Sequence, residues 1–257
     1  MTDTERQDQD QDRPATGPAS PPAGWPPADS PLAGAPPLSA TARTQHRRLR
    51  EQGRSERADL DAVLAAGFIA HLGLPAADGV MVVPTVYGTD GTQLYLHGSV
   101  ASQSLAATAP VCVTITLVDG LVLARSVFEH AVNYRSAVIY AVPRVVTDPA
   151  EKLAGLRCVS EHTAPGQWDY VRQPSRKELA ATRLLALSLG EASVKIRTGP
   201  PDDADSPDAE LGLWAGELPL AARWGQPVPD PALPPGQPVP AHILAMAGTR
   251  AFPLPPG

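Results

Sequence analysis

FIAHLGLPAADGVMVVPTVYGTDGTQLYLHGS, residues 68–99, is the stretch whose reading decides the fold. It divides into three apolar runs, 68–74, 80–88 and 93–98, separated by PAADG and GTDGT. Valine, leucine and isoleucine dominate the runs, and Gly with Asp dominates the breaks, which is the chemistry of strands and tight turns. Connections this short join antiparallel neighbours, because a parallel crossover needs a dozen or more residues. The stretch therefore reads as the start of an antiparallel meander. Beyond it, ASQSLAATA (101–109) is expected to form a short helical insertion. VCVTITLV (111–118) and LVLARSVF (121–128) are expected as two further strands joined at the VDG turn. YRSAVIYAVPRVV (134–146) continues as a long bent strand, with Pro143 marking an edge or a bulge.

Helical periodicity flanks this β-rich centre. RADLDAVLAAGF (57–68) places Leu60, Val63, Leu64 and Phe68 on one face, with Asp59 available as a cap and Gly67 as a stop. DPAEKLAGLRCVSEH (148–162) has Asp148 as cap, Pro149 in first position, and Leu153 and Leu156 on one face. Ser175 and Glu178 stand at capping-box spacing before another helix. RLLALSL (183–189) and ASVKIRTG (192–199) are strand material around Gly190. The sum, about seven strands and three helices, predicts a mainly β domain with some α: a small closed barrel with helices over its openings.

Composition separates the ends from this middle. Of the 30 prolines among 257 residues, nine fall between Pro14 and Pro37 and ten between Pro227 and Pro256. Residues 1–42 are expected as a disordered Pro-rich tail, 43–224 as the folded domain, and 225–257 as a Pro-rich extension lying along the domain or hanging free. TARTQHRRLREQGRSER (41–57) is locally basic and reads as a solvated helix or linker. The net charge of -6 is the opposite of a nucleic-acid binder's field, so no nucleic-acid partner is expected. No run approaches the ~20 apolar residues of a membrane span, and the N-terminus lacks the apolar core of a signal peptide, so a cytoplasmic, membrane-free protein is expected. Two cysteines, Cys112 and Cys158, read as reduced thiols, and no metal site is expected.

Three segments carry candidate chemistry. In LHGSVASQS (96–104), Gly98 permits close backbone approach and Ser99, Ser102 and Ser104 supply donors, so a helix starting near Ala101 would make a phosphate cradle. In NYRS (133–136), Asn133 can hydrogen-bond an amide-like edge, Tyr134 can stack and Arg135 can stabilise negative charge. Lys195 and Arg197 alternate along one strand face, so both point to one side. His130, in the turn before NYRS, is the candidate catalytic or haem-side residue; His71 and His162 read as structural. The acidic PPDDADSPDAE (200–210) lacks calcium-loop spacing and reads as a surface loop. No nucleophile elbow or phosphate-binding Walker loop is present, so any chemistry belongs to a cofactor.

The ordered series GFIAHLG, VVPTVYG, LYLHGS-x-AS, VCVTITLVDGLVLARS, NYRSAVIY, EASVKIRTGPPDD and LWAG closely resembles the pyridoxamine 5'-phosphate oxidase-like family, in its flavin-nucleotide-binding and nitroimidazole-resistance branch. The resemblance spans about residues 57–220 and implies an FMN-binding split β-barrel with flanking helices. It further implies a homodimer holding FMN at the subunit interface, acting on a small-molecule substrate as an oxidoreductase. Carried over, Val83, Pro84 and Thr85 contact the flavin ring. His97, Gly98, Ser99, Ser102 and Gln103 lie at its phosphate; Asn133, Tyr134, Arg135 and Ser136, with Lys195 and Arg197, lie along the groove; Trp214 caps the flavin or closes the barrel. Relatives often have a cation where this chain has Gln103, so Arg125, Arg135, Lys195 or Arg197 must supply the charge. Haem in place of flavin, in a non-catalytic carrier or sensor, is the alternative. The C-terminal Arg-Leu signature of true pyridoxamine 5'-phosphate oxidases is not seen.

Overall fold

A computed structural model describes residues 37–39, 41–106 and 109–253, apart from the side chains of residues 103 and 106. The expectation for residues 1–36 thus falls outside the described residues. The strands are β1 (Gly53–Arg54), β2 (Ile69–Ala76), β3 (Gly79–Val86), β4 (Gly88–Thr89), β5 (Gln93–Ser99), β6 (Val111–Leu123), β7 (Ala131–Ala141), β8 (Arg144–Val145), β9 (Thr182–Ser188), β10 (Ala192–Arg197) and β11 (Gly216–Pro219). The helices are α1 (Arg57–Ala66), α2 (Pro149–Thr163), α3 (Gln167–Tyr170), α4 (Arg176–Ala181) and α5 (Ala241–Met246).

These strands form two antiparallel sheets. One runs β1-β10-β7-β6-β2-β3, with β11 added on β6; the other runs β4-β5-β9-β8. The expected closed barrel is therefore split: the chain leaves the first sheet at the end of β3 and re-enters the second at β4. The main core lies between the sheets, where Leu72, Leu94, Leu96, Ile115, Ile139, Leu185, Leu187 and Val194 meet Leu60 and Leu64 of α1. A second cluster joins Tyr95, Leu184 and Ala186 of the smaller sheet to Cys158 and Val159 of α2. Leu94 and Leu96 thus face one way and Tyr95 the other, as the pleat requires.

Two expected strands prove to be one. Residues 111–123 form a single strand, and the VDG read as a turn is a bulge in the β6–β7 ladder between Val118 and Gly120. A bulge leaves its extra residue unpaired and re-aims its side chain, and here that residue is Asp119. The long bent strand, in contrast, breaks at Val142 and Pro143 and changes sheet, giving β7 and β8. Pro143 has no N–H to give a ladder, so it sits in the gap.

The helix ends follow their chemistry with one exception. Asp148 accepts from the Glu151 N–H, and Ser175 with Glu178 closes the capping box. Asp59, however, lies inside the first turn of α1, whose N-cap is Glu56 without a side-chain bond. On α2 the buried positions are Gly155, Cys158 and Val159, while Leu153 is exposed. Gly88 and Gly155 are where this helix meets the small sheet: a Cβ on Gly88 would lie 2.4 Å from backbone atoms of Cys158 and Val159. The C-terminal end of α1 is held by Tyr87, whose buried hydroxyl reaches the Leu64 and Gly67 carbonyls at 2.7 and 2.8 Å. Tyr87→Phe is expected to lower stability by about 1–2 kcal/mol, read from urea unfolding, because it removes the single O–H shared by these carbonyls and leaves that of Leu64 without this donor, while Gly67 keeps His162.

Both flanks pack on the barrel: the run read as a solvated helix or linker joins its sheet, and the C-terminal extension lies along it. The basic run holds only a 3-10 turn, Arg50–Gln52, and then adds β1 to β10. Arg43 pairs with Glu191 and lies over the Tyr140 ring, and Leu38 packs on the main core. At the other end, Trp224 and Phe252 both stack on Phe68, with ring centroids 5.7 and 5.5 Å away. His242 of α5 bonds Gln167 at 2.8 Å. No helix among the described residues is long and apolar enough to cross a membrane.

Candidate functional site

The split leaves β3 as an exposed edge of the larger sheet, and the end of β5 lies nearby. On β3, Val83 and Thr85 face the sheet interior and are half-buried, whereas Pro84 faces outward and is exposed. The three ring-contact candidates therefore divide between two faces, and a planar group lying against the inner one meets Val83 and Thr85. Pro84 on an edge strand costs no ladder bond.

At the end of β5 the expected cradle is present in part. Ser99 accepts from the Ala101 N–H at 3.2 Å, and the Ser102 and Ser104 hydroxyls are 2.9 Å apart. The expected helix is only a 3-10 turn, Gln103–Ala106. It has no helical dipole of consequence, and the Gln103 side chain lies outside the described ones. A Cβ at Gly98 would lie 2.5 Å from Leu105 Cδ1, so the turn packs directly on bare backbone. Across the ladder, Gly98 pairs with Arg183 and Ser99 with Thr182. Arg183 is half-buried and forms no ion pair with a described residue. The β5–β9 ladder sets it opposite Gly98 from a strand some 80 residues away, which no local motif announces.

His97 is placed elsewhere. Its side chain follows Tyr95 to the helical side of the small sheet and lines a cleft of about 370 Å³ with Leu156, Val159, Trp168, Arg172 and Glu178. Its Nδ1 is buried without a hydrogen-bond partner, and burial lowers the imidazole pKa. At the rim, Arg172 bonds Glu178 bidentately and, with the Ser175 cap, holds that carboxyl below its usual range.

The NYRS segment splits by the pleat. Tyr134 and Ser136 face outward; Asn133 and Arg135 face inward and are buried. Arg135 is 1% exposed, bonds both Asp119 carboxylate oxygens at 2.9 and 2.8 Å, and donates to the Pro253 carbonyl at 2.7 Å. Asn133 donates to Glu217 and the Gly199 carbonyl, and accepts from Arg197. Arg125 is likewise engaged, with the fully buried Asp203 at 2.6 Å. Of the four cations expected to replace a charge at Gln103, three are thus tied to other groups, and Lys195 points outward from β10. His130 is exposed beside a 3-10 turn, 3.2 Å from the Ala124 carbonyl, and Trp214 is 68% exposed. His162 is structural as expected, bonding the Gly67 carbonyl at 2.7 Å and tilted against Tyr87. His71 differs: it stands exposed on the outer sheet face.

The pyridoxamine 5'-phosphate oxidase family profile matches residues 56–196, more than half of the chain. The chain belongs to this family. Two solved structures resemble it over most of its length. The flavocytochrome Anf3 from Azotobacter vinelandii is 34% identical, with 83% of this chain and 100% of that one covered at a TM-score of 0.78. The FAD and haem binding protein from Mycobacterium smegmatis is 35% identical, with 79% and 100% covered at a TM-score of 0.74. No curated protein matches. As a member of the pyridoxamine 5'-phosphate oxidase family, the chain has the family's split barrel, and its segments 37–55 and 197–253 extend the barrel on both sides of the matched region.

Proposed function

We propose that this protein is a flavin-dependent oxidoreductase that also carries haem. The observation that supports this reading most is that two relatives, 34% and 35% identical over about four fifths of the chain, are a flavocytochrome and a protein binding FAD and haem. The flavin ring would lie along the half-buried face of β3 that carries Val83 and Thr85, with its phosphate toward the end of β5 and β9, at Ser102 and Arg183. There Arg183 supplies the cation that Gln103 does not, and the serine hydroxyls accept or donate around a phosphate of FMN or FAD. Bound flavin supplies electron-pair and single-electron chemistry, and haem single-electron chemistry. The chain's own part is to hold the two groups and exclude water from them.

The acceptor is a small molecule, with nitro compounds and pyridoxal-type compounds the classes suggested by the family. The assembly is a homodimer. Val80, Val82, Ile69 and Val118 leave an apolar outer sheet face, and Phe128 and Trp214 project at 90% and 68% exposure, which suits burial against a second copy. The two free thiols, Cys112 and Cys158, suit the reducing cytoplasm. Absorption of the protein as purified is the test, followed by chromatography of the released flavin. A flavin band together with a Soret band, and bleaching of the flavin by reduced nicotinamide, is the expected result. A colourless protein that takes up neither FMN, FAD nor haemin on reconstitution overturns the reading.

A further inference from the structure

We propose that two copies of this chain pair through the end of the larger sheet where β6 turns into β7, each copy laying this projecting arm against the basic run of the other. The inference rests on the homodimer of the function proposed above and goes beyond it by assigning the surface and the groups that meet there.

The arm is defined by where its neighbours stop. Tyr134 pairs with Arg197, the last residue of β10, and from there β7 runs on with β6, flanked only by β11 on the far side. The stretch Ala131–Tyr134 alone carries the arm roughly 10 Å past the end of β10, at ~3.3 Å per residue. Its tip is braced: the backbone N–H and the guanidinium of Arg125 reach the two carboxylate oxygens of Asp203 at 2.6 Å each, and Asp203 is buried. A tip fixed in this way nevertheless turns Val127 and Phe128 to solvent at 86% and 90% exposure. In the segment that follows Asp203, Leu211, Leu213 and Trp214 are exposed as well. The same segment carries the exposed carboxylates of Asp202, Asp205 and Glu210, which form no ion pair with a described residue. A contiguous apolar patch with a charged rim marks an interaction site.

The basic run supplies the other half of the contact. The antiparallel register of Gly53 with Lys195 and Arg54 with Val194 sets the residues before Gly53 toward the Arg197 end of β10, beside the root of the arm. Arg47, Arg48 and Arg50 are exposed there and form no ion pair with a described residue. Leu49, between them, is half exposed and has φ 53° and ψ 54°, a left-handed backbone that no other described residue except glycine adopts. A bulky residue held there is strained, and such strain clusters at functional sites. A two-fold contact must place both complementary halves on every copy. This end of the sheet does so, with an acidic arm and a basic root on one chain. Phe128 and Trp214, at ~150–250 Å² each when covered, supply about half of the ~800 Å² per copy that a stable interface buries. The carboxylates beside them set this surface against an anionic membrane.

Sedimentation velocity of the full-length protein over a concentration series is the experiment. The unaltered protein is expected to form a dimer whose dissociation constant rises with salt. Phe128→Ser is expected to raise that constant on the order of 100-fold, since it removes an anchor from each copy. A reversed arm (Asp202→Lys, Asp205→Lys and Glu210→Lys) and a reversed root (Arg47→Glu, Arg48→Glu and Arg50→Glu) are each expected to be monomeric alone and to dimerise when mixed. Circular dichroism confirms that each variant is folded. Reversed variants that stay apart on mixing overturn the pairing of arm with root. A dimer that survives both reversals, or that is lost in Val82→Glu instead, overturns the assignment and leaves the homodimer standing. A protein monomeric at every concentration overturns the homodimer itself, and the assignment with it.

Discussion

Replacing Arg135 with alanine is expected to destabilise the protein by about 3–5 kcal/mol, because it strands the Asp119 carboxylate, 14% exposed, without its partner. The guanidinium is almost wholly buried, uses both oxygens of that carboxylate, and holds the Pro253 carbonyl besides. Asp119→Ala should cost a similar amount by stranding the cation. The double variant with Arg135→Ala and Asp119→Ala should lose far less than the sum, since it removes both charges together and strands neither. Urea denaturation of the four proteins measures the coupling. Near-additive losses would show that the pair does not act as a unit. The same set reports on the C-terminal segment: when the Pro253 contact goes, tryptophan fluorescence from Trp224, stacked on Phe68, should change before the barrel unfolds.

Arg183→Gln is expected to weaken FMN binding about 10- to 100-fold while leaving riboflavin affinity unchanged. A charge-assisted hydrogen bond to a phosphate contributes about 1.5–3 kcal/mol, and about 1.4 kcal/mol is tenfold in affinity. Riboflavin has the same ring and no phosphate, so it isolates the cation's share. Arg183 lies directly opposite Gly98 in the β5–β9 ladder, and at Gly98 no side chain stands between the strand and the serine loop. Flavin fluorescence quenching gives both affinities, and raising the salt concentration should narrow the gap between them. Equal loss for the two flavins would assign Arg183 to the fold. No loss for FMN would place the phosphate elsewhere.

Local signals carried the elements of this protein because they depend on neighbours in the chain. The 68–99 hairpins, the Asp148 and Ser175 caps and the strands at 183–189 and 192–199 all follow from period, turn residues and capping spacing. The same local reading failed at VDG, since Asp-Gly suits a tight turn and a bulge alike and only the partner strand β7 decides between them. It failed for the basic run, whose two residues Gly53 and Arg54 become a strand only because β10 offers an open edge.

The candidate segments at 83–85, 96–104 and 133–136 could be read by residue type and not by side: alternation sends Pro84 away from Val83 and Thr85, His97 away from Gly98, and Arg135 away from Tyr134. Which face meets the groove depends on which sheet covers the other, a property of the assembled barrel. Arg183 was missed for the related reason that a cation supplied across a ladder leaves no trace near the residues it serves. The sequence by itself determined most of the strand segments, their mainly antiparallel character and the family. Only the tertiary structure decided that Arg135 binds Asp119 and that Arg183 stands opposite Gly98, because strand pairing brings together residues that lie far apart along the chain.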